Sequence, residues 1–159
     1  MQSKLDTNDV WHIAGRFVKR DDQLLLPLDT LISSANSWNL VGRCCLIPTD
    51  LPRSTFGGFV TVLRVVDHRL TPRYLHAWFS SAKVQRTVRS FGRRTTNISN
   101  LDLAQCSDLT IAVPTSRELE AFELALARLE HEKSQGERAI ASLDGLFASL
   151  QQRAFRGDL

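Results

Sequence analysis

Seven cations, Arg69, Arg73, Lys83, Arg86, Arg89, Arg93 and Arg94, fall between Asp67 and Asp102 without one intervening carboxylate. A stretch of fixed positive charge free of acids suits a polyanion, because guanidinium groups bind phosphate oxygens through charged hydrogen bonds. Charge alone leaves open a solvated helix whose arginines only aid solubility, so spacing has to discriminate. Thr71-Pro72 reads as a helix start, since proline at the first helical position forfeits no hydrogen bond, and Leu75, Trp78, Phe79 and Ala82 follow at helical spacing. This predicts a helix or helix pair running to Phe91. At 100° per residue, Val84, Val88 and Phe91 share one side while Arg86, Arg89 and Arg93 lie nearly opposite. The segment Gly92-Arg93-Arg94-Thr95-Thr96-Asn97 then reads as a loop dense in donors for phosphate oxygens and base edges.

Other chemistries lack their residues. There is no GxGxxG or GxxxxGK[ST] loop, no GxSxG elbow, no (D/E)xK triplet of metal-dependent nucleases, and no Asn/Asp-Pro-Pro-Tyr/Phe motif for holding a flipped base. Ser33-Ser34 with a distant His and Asp could be drawn as a nucleophile system, but serines bordering a strand more often cap or turn the chain. His12, His68, His76 and His131 show no metal-ligand spacing. Cys44, Cys45 and Cys106 form neither a CxxC motif nor an even disulfide set and read as small apolar residues. No metal, cofactor or catalytic activity is expected.

These residues need elements to position them. The 159 residues fit one ordinary domain plus an appended element, and 43% hydrophobic with 23% charged residues is a globular composition. No apolar run approaches a membrane-spanning length and no secretory signal pattern opens the chain, so a cytoplasmic protein is expected. Up to Val113 the chain carries 14 basic and 9 acidic residues; from Pro114 onward it carries 6 basic and 8 acidic, including every glutamate. Two parts with different roles are expected, 1–113 and 114–159.

Asp21-Asp22 reads as a turn before the apolar Leu24 to Leu26, and the first twenty residues show no clean periodicity. Leu31-Ile32, Val41 to Ile47 and Phe59 to Val66 are short β-branched or apolar runs bounded by turn residues, and they read as strands; a further strand from Leu109 to Val113 should close the front part. The rear opens on a capping box, Thr115 with Glu118. Leu119, Phe122, Leu126, Leu129, Lys133, Gly136, Ile140, Leu143, Phe147, Leu150 and Ala154 then recur in alternating steps of three and four, a heptad seam of about five repeats. Such a helix is roughly 55 to 60 Å long at 1.5 Å per residue, more than the front part could cover, and its stripe calls for a partner helix. An ordinary core helix folded back on its own domain is the alternative. Lys133 and Gly136 interrupt the seam near its middle and could set register or orientation. The fold class expected is α+β: a small sheet-rich domain followed by a long C-terminal helix that forms a coiled coil with a partner helix.

The ending Leu146 to Leu159, LFASLQQRAFRGDL, resembles the close of a conserved-region helix in the specificity subunits of type I restriction-modification systems. Asp29 to Ser34 is similar to that family's "GDILIS" strand, and Gly92 to Val113 to its passage into the long helix. The resemblance implies a target recognition domain that reads double-stranded DNA and a helix that pairs antiparallel as a spacer, on which methyltransferase subunits dock. The restriction/translocase subunit joins through the methyltransferase. S-adenosylmethionine, and ATP with magnesium, would be bound by those partners. Where a full specificity subunit has two recognition domains and two helices, this chain has room for one of each, and the family's tryptophan- and glycine-bearing opening strand is not evident before Asp29. Either a half-subunit that homodimerises on an inverted-repeat site or a truncated product is expected.

Under that reading Lys83, Arg86, Arg89 and Arg93 anchor phosphates, and Arg94, Thr95, Thr96 and Asn97 make base contacts, with Asn36, Ser37, Trp38 and Asn39 as a second loop. Asn97 could instead end a turn and Trp38 could be a packing residue. The rival in another class is a coiled-coil interaction module that binds an acidic protein and no DNA.

Overall fold

The computed structural model describes residues 5–8, 10–94 and 98–157, with Arg93 and Arg94 described by their backbone alone. The chain is mixed α+β and divides into two units, Met1–Leu119 and Glu120–Leu159.

In the first unit Thr30–Ser33 forms β1, Cys44–Leu46 β3 and Val60–Leu63 β4, and β1 lies between the other two with both pairings antiparallel. β1 alternates, Thr30 and Ile32 turning inward, as a strand with one buried face must. Two residues, Ala35–Asn36, form β2 and belong to a second sheet, ordered β2, β6 (Ser99–Leu101), β5 (Gly92–Arg94). Ser34 stitches the sheets: its N–H donates to the Phe59 carbonyl beside β4 at 2.9 Å, and its carbonyl accepts from Leu101 N–H at 2.8 Å. Both serines of the imagined nucleophile system are thus strand-border residues, and Ser33 Oγ accepts from the Asn36 side-chain amide.

Pro72–Ser80 (α1) and Ala82–Ser90 (α2) are the expected helix pair. Thr71 caps the first, its hydroxyl accepting from Tyr74 N–H at 3.1 Å. Ser81, at an extended ψ of 146°, ends α1 and caps α2 through Val84 N–H. The core beneath them joins Ile32, Val41, Cys44, Phe79, Val84, Val88 and Leu101. Burying one such side chain stabilises the fold by about 2 kcal/mol.

Three expected elements differ. Gly92–Arg94 is a strand, paired to β6, where a loop was expected. Ser99 and Leu101 are both buried and Asn100 between them is exposed, so β6 has one buried face, and its polar residues hide that alternation in the sequence. Conversely, Leu109–Val113 forms no strand. The preceding Asp102 caps a short helix, Leu103–Ser107 (α3), which turns the chain away from the sheet. Ala112 then meets α1, where the Tyr74 hydroxyl donates to its carbonyl at 3.3 Å and no ladder is on offer. The strand expected over Val41 to Ile47 is shorter for a similar reason, Val41 lying in the turn that leads into β3.

Ser116–Arg156 is one helix, α4, of 41 residues, about 60 Å at 1.5 Å per residue. The Thr115–Glu118 box forms: Glu118 Oε2 accepts from Thr115 N–H at 2.8 Å and from its hydroxyl at 2.7 Å, and Glu118 N–H donates back to Thr115 Oγ1 at 3.3 Å. Those bonds hold the Glu118 carboxyl below its ordinary range. No helix among the described residues is long and apolar enough to cross a membrane.

Candidate nucleic-acid interface

Val84 and Val88 of α2 are buried, and Lys83, Arg86 and Arg89 are exposed. Among the described residues none of these three cations has an ion-pair partner. Arg69 is different. Its guanidinium and backbone N–H close on Asp67 at 2.6–3.1 Å and hold that carboxyl down at about 2, so its charge is spent locally.

The Ser37–Arg43 turn is bolted to α2 at two points. Gly42, at φ 79°, lies against Val88, and the Trp38 ring lies against Gly92, close to the carbonyl end of α2. Trp38 thus packs near Gly92 while staying 36% exposed. Asn36 is committed too: its Oδ1 accepts from Ser37 N–H at 2.8 Å and its amide donates to Ser33 Oγ at 3.2 Å.

The second sheet then unites the two candidate segments. Its register sets Asn36 opposite Ser99 and Ser99 opposite Arg94, with Ala35, Asn100 and Arg93 in line one step along. The backbone of Arg93 and Arg94 thus shares a sheet with Asn36, and the Ser37-Trp38-Asn39 turn adjoins the end of α2. Ile98 is exposed beside this edge. Thr95, Thr96 and Asn97, expected as base readers, lie outside the described residues, as do the side chains of Arg93 and Arg94.

The sequence reading passed over a buried ion pair. Asp29, only 3% exposed, receives Arg64 Nε at 2.7 Å and Nη2 at 2.6 Å on its two oxygens, plus Leu26 N–H at 2.7 Å. The pair closes the turn in which Leu28 adopts φ 65°, and it raises the Arg64 pKa through the Asp29 hydrogen bonds first. Separated by 35 residues, it left no local signal. His76 is buried with Nδ1 at 3.1 Å from Thr30 Oγ1, and burial lowers its pKa. Burial also pushes the Cys44 thiol up to about 11, which leaves little of the reactive thiolate at neutral pH. Among the described residues no group of three His, Cys, Asp or Glu side chains could hold a metal ion.

On α4 the seam residues Leu119, Phe122 and Leu126 are half-buried, while Leu129, Ile140, Leu143, Phe147 and Leu150 are 50–67% exposed. An apolar stripe, interrupted at Lys133 and Gly136, thus faces solvent over the distal two-thirds of the helix.

No protein-family model matches the chain, and no curated protein matches its sequence.

Proposed function

We propose that the chain is a non-catalytic DNA-recognition subunit that acts as a specificity subunit of a type I restriction-modification complex. Its first unit reads one half of a bipartite site, and α4 pairs antiparallel with that of a second copy to form the scaffold for methyltransferase subunits. The observation that supports it best is the set of exposed cations on α2, Lys83, Arg86 and Arg89, without ion-pair partners among the described residues. Lys83, Arg86 and Arg89 supply sequence-independent attraction to phosphates, and the segment from Arg94 to Asn97 is the candidate for base contacts.

The test is duplex binding measured by fluorescence anisotropy at 50 and 200 mM salt, with a duplex pool of random core. Three phosphate contacts would give a slope of log K on log salt of about −2.7. Arg86→Ala should weaken binding to all duplexes alike and flatten that slope by about one, whereas Arg94→Ala should change which duplexes are selected. Equal losses on every duplex for both variants would defeat the division of roles.

The exposed seam of α4 favours a second reading, a coiled-coil interaction module without DNA. Affinity for duplexes that is absent at 50 mM salt, with self-association intact, would establish it over the first.

A further inference from the structure

We propose that α4 takes a second copy of itself in one antiparallel register, in which Leu129 to Ala154 of the two copies lie side by side and Glu132 of each faces Arg153 of the other. It rests on the pairing of two copies proposed above and adds what selects their alignment.

Exposure sets the working length of the seam. Leu119, Phe122 and Leu126 are half-buried, whereas the seam from Leu129 to Ala154 is exposed, a stretch of about 38 Å at 1.5 Å per residue. A parallel pair would set Lys133 against Lys133 and Gly136 against Gly136, and would bring Glu132 beside Glu137 of the other chain twice. Reversing one helix about the middle of the exposed stretch instead sets Lys133 level with Leu150 and Gly136 level with Phe147. Every layer then keeps an apolar side chain on at least one side.

The heptad repeat also allows alignments one repeat away, and the charges beside the seam separate them. Glu132 is exposed and has no ion-pair partner among the described residues. In the central alignment it meets Arg153 of the other copy twice, which offsets the like charges of Glu137 beside Asp144. Slid so that Gly136 meets Ile140, the pair has no opposite charges in contact across the seam and stacks Glu137 on Glu137 and Glu130 on Asp144. One repeat further, Lys133 meets Gly136 and those layers lose their apolar partner. Slid the other way, Leu129 passes beyond the end of α4 at Arg156 and stays uncovered.

Sedimentation equilibrium of the full chain at low salt measures the dimer constant of the wild type, Glu132→Arg, Arg153→Glu and the double reversal. Each single reversal turns two attractive contacts per dimer into two repulsive ones and should weaken the dimer roughly five- to thirtyfold, and the double reversal should return to within about threefold of the wild type. Losses that simply add in the double variant would overturn the register, as would single variants as tight as the wild type. A wild-type chain that remains monomeric would instead overturn the pairing of copies itself. Both residues are exposed, and the recovery in the double reversal is a readout that misfolding cannot produce.

Discussion

A Cβ atom on Gly42 would stand 2.8 Å from Val88 Cγ1, and Gly42 itself holds a φ of 79°. Glycine is required there twice over, once for the left-handed backbone and once for the approach of a turn to a helix. This contact joins Ser37–Arg43 to α2, so the composite face depends on an absent side chain.

Gly42→Ala should therefore cost about 2 to 4 kcal/mol, combining left-handed strain with overpacking against Val88. Urea unfolding measures it. A loss under about 1 kcal/mol would mean that Val88 moves aside.

The Asp29–Arg64 pair should be equally sensitive. Asp29→Asn leaves the guanidinium without its counter-charge in a partly buried place, and a loss of about 2 to 4 kcal/mol is expected. Replacing the two together by Asn and Met should recover part of it, because no uncompensated charge then remains. A double variant less stable than Asp29→Asn would contradict this account.

His76 predicts a dependence on pH. Burial lowers its folded pKa below the ordinary 6.5, so between those two values the unfolded chain binds a proton that the folded chain refuses. Stability from this group is whole above 6.5 and falls as pH drops from there toward the lowered value. His76→Gln, which keeps a partner for Thr30, should flatten the unfolding free energy between pH 7 and 5. An unchanged slope would assign that dependence to other groups.

The exposed seam of α4 predicts self-association. Light scattering on the wild-type chain should give a mass near twice 17.9 kDa, and Ile140→Glu should give the monomer. Lys133→Leu with Gly136→Leu should tighten the dimer by roughly tenfold or more, since each extra buried methylene adds about 0.8 kcal/mol. A wild-type chain monomeric at high concentration would overturn seam pairing.

The parts legible in the sequence are those whose causes are local. A capping box needs only Thr115 and Glu118, a helix start only Thr71-Pro72, and the Val84/Val88 and Arg86/Arg89 faces follow from periodicity within one helix. Hydrogen bonds between residues three and four apart form wherever the residues allow it, so α1, α2 and α4 were all readable. The expected α+β class followed from the same patterns.

Strand pairing has no such locality. Gly92–Arg94 is a strand because Ser99–Leu101 lies beside it, and Leu109–Val113, where the Tyr74 hydroxyl bonds the Ala112 carbonyl, pairs with no strand among the described residues. The Ser37–Arg43 turn offers no pattern among its sequence neighbours and meets α2 only through Gly42 and Val88. Asp29 finds Arg64 across 35 residues. The amino-acid sequence by itself determined the helices, their polar and apolar faces and the heptad stripe, since each is a short-range consequence of residue type. Tertiary structure alone decided which strands exist, which arginines stay uncompensated and which turn meets α2, because those outcomes depend on partners brought together only when the core closes.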